Sequence, residues 1–410
     1  MSRRGNLTIL VTILALIAGT IALAFQRSTV LGLDLRGGAE VVLQAEPKQG
    51  QPVTQQGLDQ AVRVLRSRVD SLGVSEPEIR KEGSNRISVA LAGLKDPQRV
   101  LDLVGSTGQL YFLDAEGGPV RGVSISQAAG DQVSLSQVVP KTSLFDLLTA
   151  AQSVPSAKKE QFSAYYAFKK GQKDALNRFA YTSQERLALD PNVTPVPAAD
   201  RVVLGVPDGT VVVSCSNKSP NGCPGNISPL SPAARKDPKV KETFYWYLYN
   251  LPAEADQLTG RDLDSAQADF DPQTGQPQVN MNFNDRGGRL FKKITKELAD
   301  RGRQQWRQAG GQSGTQQAYF QHFAVILDGQ LKTYPYIDFE QTPDGIGGQS
   351  RITGLRDYQE AKDIALVLQF DTTPTGHRFM EAWKRARIIV DVGGSNGGEE
   401  KPAPSPQPPQ

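Results

Sequence analysis

The stretch that most constrains this 410-residue chain is Leu7 to Phe25, which carries no charged residue and follows closely on Arg3 and Arg4. As a helix rising about 1.5 Å per residue, it is long enough to cross a hydrocarbon core of about 30 Å. Ala22 to Ala24 also resemble a signal-peptidase site, but signal-peptide apolar cores normally run only about 7–15 residues, which favours an uncleaved anchor. Arg3 and Arg4 then hold the N-terminus in the cytoplasm by the positive-inside tendency, so everything from about Gln26 onward is expected on the far side. No later stretch is a second span, since the longest apolar run, Ile364 to Phe370, is far too short. Residues 1–26 are therefore expected to be a cytoplasmic N-terminus and a transmembrane helix.

A chain of this length exceeds what one hydrophobic core usually serves, so two or more domains are expected. Lys and Arg number 46 against 43 Asp and Glu, a net charge of +3, and no basic block marks a nucleic-acid partner. With 39 Gly and 27 Pro the chain is no helical bundle. Cys215 and Cys223 close the loop "CSNKSPNGC", and an oxidising compartment allows them to pair, for a chain-entropy gain of about 2.5 kcal/mol. The alternative reading is two unrelated thiols in a mobile loop. A zinc site fits less well, because the spacing is wrong and the chain has just two imidazoles, His322 and His377.

Residues 27–114 read as strand, helix, strand, strand, helix, strand. "EVVLQA" alternates at Val41, Leu43 and Ala45. Thr54 can then cap a helix striped by Leu58, Val62, Leu65, Val69 and Leu72. "PEIRKE" and "RISVAL" form a hairpin across "GSN", Asp96 and Pro97 open a second helix ending at Gly105, and "QLYFLD" closes the unit. That order is the ferredoxin-like split βαβ arrangement, so the fold class expected is α+β. Residues 115–249 are less regular and read as an inserted subdomain. Its "FYWYLY" could be an aromatic platform, but the same residues are favoured in ordinary strands.

Regularity returns over 250–369. "VNMNFN" alternates at Val279, Met281 and Phe283, and Asp285 can cap a helix bearing Leu290, Phe291, Ile294 and Leu298. Asp328-Gly329 between "FAVIL" and "QLKTYPYI" is a two-residue hairpin signal. A helix over about 355–368 presents Tyr358, Ala361, Ala365 and Leu368 along one side. Residues 370–410 end in a Pro-, Gly- and Gln-rich tail that cannot form a core, with disorder expected from about Gly393.

A search for catalytic constellations finds no nucleotide loop, no hydrolase elbow, no metal-binding spacing and no thiol cluster. "LGLDLRGG" lacks the lysine and the following helix of a phosphate loop, so Gly32, Gly37 and Gly38 read as positions needing positive φ or close backbone approach. Asp34 and Arg36 share a face if extended, and as an exposed pair contribute at most about 1 kcal/mol. His322 reads as a strand-end residue. No catalytic residue, cofactor or metal is expected, and a binding or mechanical role fits best.

"LGLDLRGG" followed by a strand resembles the SecD family, subunits of the bacterial Sec protein translocase within the resistance-nodulation-division transporters. Arg68, Asp70, Gly73, Val74, Glu76 and Pro77 match that family's first periplasmic repeat. "LTGRDLDSAQADF", "VNMNFNDRGGRLFKKIT", "VILDGQLKTYPYI" and "SRITG" resemble its later blocks in the same order. The resemblance implies a cell-membrane protein working with SecF, YajC and the SecYEG channel, capturing unfolded preprotein chains on the outer face and drawing on the proton-motive force. It also implies a base formed by 27–114 and 250–369, and a head formed by 115–249. Gly32, Asp34, Arg36, Gly37 and Gly38 would be the turn linking the membrane helix to that base. From Phe370 the sequence departs from the family, whose proton-conducting helices follow there. The expectation is a truncated or frameshifted copy, or a single-anchor variant that retains only the capture domain. Two other classes remain open at this point: an envelope-binding module without energy coupling, and an anchored hydrolase for which Asp34, Asp328 or His322 would have to matter.

Overall fold

Leu58, Ala61, Leu65 and Val69 recur at helical spacing, and in the computed structural model they form the buried side of helix α1 (Gln55–Ser71). The structure describes residue 13 and residues 38–44, 55–71, 77–84, 86–92, 109–126, 133–153, 162–177, 180–181, 184–188, 190, 192–237, 239–371 and 387–391. Apart from Ile13, the expected transmembrane segment lies outside the described residues, as do the expected helix over 96–105 and the tail beyond 391. Among those described, no helix is long and apolar enough to cross a membrane.

α1 packs on the hairpin of strands β2 (Glu78–Glu82) and β3 (Arg86–Ala92). β3 is buried on both faces, with Ile87, Val89 and Leu91 on one and Ser88 and Ala90 on the other, as befits a central strand. Its second neighbour is β1 (Gly38–Gln44), whose far edge pairs with β15 (Arg387–Asp391), so the antiparallel order is β15-β1-β3-β2. The sequence reading puts the closing strand of this unit at 109–114. Instead β4 (Leu110–Asp114) pairs antiparallel with β11 (Gln321–Leu327) in a different sheet. The physical reason is visible in β4 itself. Leu110 and Phe112 enter one core while Tyr111 and Leu113 enter another, and a sheet covered on both sides buries all four. The 370–410 segment thus contributes a strand, β15, beside β1.

In that second sheet β11 lies between β4 and a broken strand formed by β12 (Gln330–Thr333) and β13 (Tyr336–Ile337). The turn from β11 to β12 has positive φ at both Asp328 and Gly329, the geometry the Asp-Gly pair favours. β12 then joins β7 (Thr210–Ser216) in parallel through Gln330 and Ser214, and β7 pairs antiparallel with β8 (Phe244–Asn250). The sheet therefore runs on across the expected borders at 114/115 and 249/250. Within the 115–249 stretch, α2 (Leu144–Ser153) covers the two-stranded sheet of β5 (Phe162–Lys169) and β6 (Arg201–Pro207). Leu147 and Leu148 meet Leu204, Val206 and Leu248 there.

The largest core gathers between the β4–β11 face and a third sheet, ordered β14-β10-β9. Its strands are β9 (Leu263–Phe270), β10 (Pro277–Phe283) and β14 (Gln349–Ile352). Val279, Met281 and Phe283 alternate inward from β10 as the sequence suggested. α3 (Asp285–Gln308) and α4 (Tyr358–Asp371) enclose this core with Phe291, Leu298, Ala361, Ile364, Ala365 and Leu368. The cap of α3 falls one residue before the expected Asp285. Asn284 is extended, and its side chain accepts from the Gly287 N–H at 2.9 Å while donating to the Arg261 carbonyl at 3.0 Å.

Candidate functional site: a cleft with a charged floor

β4 ends at Asp114, and the chain turns sharply around the start of β11. Ala115 N–H donates to the His322 carbonyl at 3.0 Å, and His322 N–H donates back to the two carboxylate oxygens of Glu116 at 2.9 and 3.1 Å. The imidazole Nδ1 of His322 lies 2.6 Å from the same carboxylate, whose side chain is 2% exposed. α3 supplies the balancing charge. Arg301 forks onto Asp114, with Nη2 to Oδ1 at 2.7 Å and Nη1 on Oδ2, while its Nε donates to Gln321 Oε1 at 2.7 Å and its Nη2 lies 3.6 Å from Glu116. A bidentate arginine fixes direction as well as charge, so α3 is keyed to the end of β4. Gln321 completes the chain of contacts by donating to Gln305 Oε1 at 3.1 Å.

Burial pushes the Glu116 carboxyl above the usual glutamate range, and its bonds to His322 oppose this without cancelling it. A raised folded-state value means the native protein binds this proton more tightly than the unfolded chain does. The resulting stability is present below the ordinary glutamate range and is lost as pH rises through the raised value. Glu116→Gln is expected to flatten that dependence, read as urea midpoints across the same pH range. An unchanged slope would assign it to another group.

Above this floor is an open trough of about 570 Å3, lined among others by Asn221, His322, Thr333, Tyr334, Tyr336 and Thr353. His322 thus links the buried carboxylate to the cleft. With Glu116 ionised, the Nδ1–H of His322 donates to it. One wall is the loop closed by the Cys215–Cys223 disulfide, with Cα atoms 6.0 Å apart. Asn221 in that loop donates to the Thr353 carbonyl at 3.2 Å and to Thr333 Oγ1 at 3.3 Å, and its own carbonyl accepts from the Tyr334 hydroxyl at 2.6 Å.

Of the residues singled out in the sequence, Gly32, Asp34, Arg36 and Gly37 lie outside the described residues, and Gly38 opens β1 opposite Ala92. The aromatic run 244–249 is β8. Tyr247, Leu248 and Tyr249 are fully buried there, and the Tyr247 hydroxyl donates to the Pro224 carbonyl at 2.8 Å, so its larger part is core. The sequence reading missed Glu116, Arg301 and the placement of His322. The one local trace was the pair of acids, Asp114 and Glu116, just beyond an apolar strand. Among the described residues no three His, Cys, Asp or Glu side chains are grouped to hold a metal.

Comparison with known families gives two matches. The model described as "Protein translocase subunit SecDF, P1 domain, N-terminal" matches residues 58–117, and "SecDF, P1 head subdomain" matches 248–372. The latter stretch is one the sequence reading gives to the base. A "Protein translocase subunit SecD" from Rhodothermus marinus is 27% identical over 326 residues, covering 78% of this chain and 45% of that one. The protein of the same description from Dictyoglomus turgidum is 46% identical over 86 residues, 21% of this chain and 22% of the other. A solved structure described as "Crystal structure of SecDF in Super-membrane-facing form" covers 89% of this chain and 33% of its own, at 24% identity and a TM-score of 0.37. The chain spans about half the length, or less, of the curated relatives it matches. Two family models in order, together with relatives of one description along most of the chain, show that it carries sequence of the SecD/SecDF P1 domain.

Proposed function

We propose that this chain serves protein export as a SecD-like subunit, binding preprotein that emerges on the outer face of the membrane. The observation that carries this is the ordered pair of P1 matches, at 58–117 and 248–372, on one chain. Leu7 to Phe25 would anchor it with the N-terminus in the cytoplasm and the P1 region outside. Its partners would be SecF, YajC and the SecYEG channel, and the proton-motive force would be coupled through membrane-embedded parts of that assembly. The glycine-rich turn at Gly32, Gly37 and Gly38, with Asp34 and Arg36, would join the anchor to the P1 region.

The division of that region follows the matches and the sheets together. The base would be the β15-β1-β3-β2 sheet with α1, and the head would be the unit matched over 248–372, with the 115–249 stretch attached through β7 and β8. Tagged full-length chain, purified from membranes after mild cross-linking, is expected to carry SecF, SecYEG and a translocation-arrested precursor. Recovery of none of these would sink the export reading.

A further inference from the structure

We propose that Asn221 is a self-deamidation site that the Cys215–Cys223 ring holds shut. Once that ring opens, the side-chain amide leaves as ammonia and an acidic residue remains where the loop joins the end of β14. The inference stands apart from the export reading. Asparagine is a chemically labile residue, and it is least protected where glycine follows, because no side chain crowds the attack. "PNGC" at 220–223 is such a pair. The backbone nitrogen of Gly222 bonds to Cγ of Asn221, the bond from Cγ to the amide nitrogen breaks, and ammonia departs with the proton of the Gly222 N–H. Water then opens the five-membered imide at either carbonyl, leaving an aspartyl or isoaspartyl residue. One water is consumed and one ammonia released, with no change of oxidation state.

The closed loop keeps the two reacting groups apart. The attacking group, the Gly222 N–H, is occupied by the Ser219 carbonyl at 3.0 Å. The amide under attack donates to the Thr353 carbonyl at 3.2 Å and to Thr333 Oγ1 at 3.3 Å. The peptide between them is fixed as well, since the Asn221 carbonyl accepts from the Tyr334 hydroxyl at 2.6 Å. On the other side Cys223 exchanges backbone bonds with Ile227 at 2.9 and 3.3 Å. Gly222 itself is buried at φ +72°, against the Ile227 carbonyl and Pro229. Each of these bonds is weak against competing water, and the covalent ring is what keeps them formed together. Its cysteines are 8 positions apart, and removing such a cross-link raises the population of the open loop by up to about seventyfold on chain entropy.

The product does not fit the place the amide held. A carboxylate has no proton to give to the Thr353 carbonyl, so two acceptor oxygens would face each other. Gly354 packs under the Asn221 side chain at φ +71°, so closely that a Cβ there would collide with it, which leaves the new group little room to turn away. The modified loop therefore lets go of Thr333 and Thr353. Because the reaction runs one way, re-forming the disulfide does not undo it. A molecule that has once lost its cross-link stays altered.

The test incubates the full chain in detergent at mildly alkaline pH in heavy-oxygen water, which marks deamidation that occurs before digestion. Mass spectrometry of the tryptic peptide Ser219–Arg235 then reads Asn221, with Asn226 in the same peptide as a comparison site followed by bulky Ile227. Reaction confined to rare openings is expected to be at least about tenfold slower in the oxidised native chain than in the chain reduced and unfolded in urea. The paired Cys215→Ser, Cys223→Ser change, with circular dichroism to check folding, is expected to recover most of that difference. Thr333→Val keeps the ring and removes one bond to the amide, so it is expected to react a few-fold faster than wild type and decides the matter if the paired variant does not fold. Equal rates in the oxidised and unfolded chains would overturn the protection. A folded paired variant, or failing that Thr333→Val, that reacts no faster than wild type would overturn control by the loop. Asn221→Asp reproduces the aspartyl product and is expected to speed tryptic cleavage after Lys218 in the native chain several-fold. Unchanged cleavage would overturn release of the loop.

Discussion

Replacing Phe291 with alanine is expected to lower the unfolding free energy by about 4 kcal/mol, near the middle of the range for buried aromatics. The ring is 1% exposed and lies at 4.9 Å from Phe283, 5.2 Å from Phe323 and 5.8 Å from Phe112. Those partners stand on β10, β11 and β4, so a single side chain of α3 joins three strands drawn from two sheets. β10 and β11 are held by ladder bonds on both sides and so relax little into a void, which is the condition under which the cavity penalty adds to the lost transfer energy. Phe291→Leu keeps much of the volume and should cost less than about half as much. Urea unfolding of both variants checks this, and equal losses would show that the void is not the cause.

Arg301→Ala is expected to cost about 3 kcal/mol, because it strands two carboxylates that the guanidinium now balances. Asp114 keeps some water, at 29% side-chain exposure, but Glu116 at 2% does not, so most of the penalty falls on the buried partner. The charge account makes a further demand. As pH falls through the raised Glu116 range, that buried carboxyl becomes neutral and the deficit of the variant should shrink. Unfolding midpoints of wild type and variant at the two ends of that range decide it. A deficit that does not change with pH would mean the arginine contributes through packing of its stem alone.

What local sequence could show, it showed clearly. The stripe of α1, the inward alternation of Val279, Met281 and Phe283, the Asp328-Gly329 turn and the apolar side of α4 each rest on periods and turn chemistry that span a few residues. Capping slipped by one position because Asn284 and Asp285 are both good N-caps, and the choice was settled by the Arg261 carbonyl that Asn284 also binds. Strand partnership was the larger loss. Nothing near Leu110–Asp114 announces β11, whose residues follow more than two hundred positions later, and the same gap separates Glu116 from His322. The floor of the cleft was invisible for that reason, while the family was legible from short ordered blocks that need no knowledge of contacts. Residue-type reasoning alone pointed to a binding or mechanical role, and the proposed export role came from likeness.

The pairing of β4 with β11 also has a consequence in time. A chain made from its N-terminus releases β4 well before its partner, and Phe112 must wait for Val325 before either is covered. Closing a loop of that length costs about 5 kcal/mol of chain entropy by logarithmic scaling, which local hydrogen bonds at its ends cannot offset alone. Until Phe323–Leu327 arrives, β4 carries apolar side chains on both faces and an unpaired edge. The second sheet therefore has a late keystone, and the interval before it is laid is when the newborn domain is most open to pairing with the wrong strand.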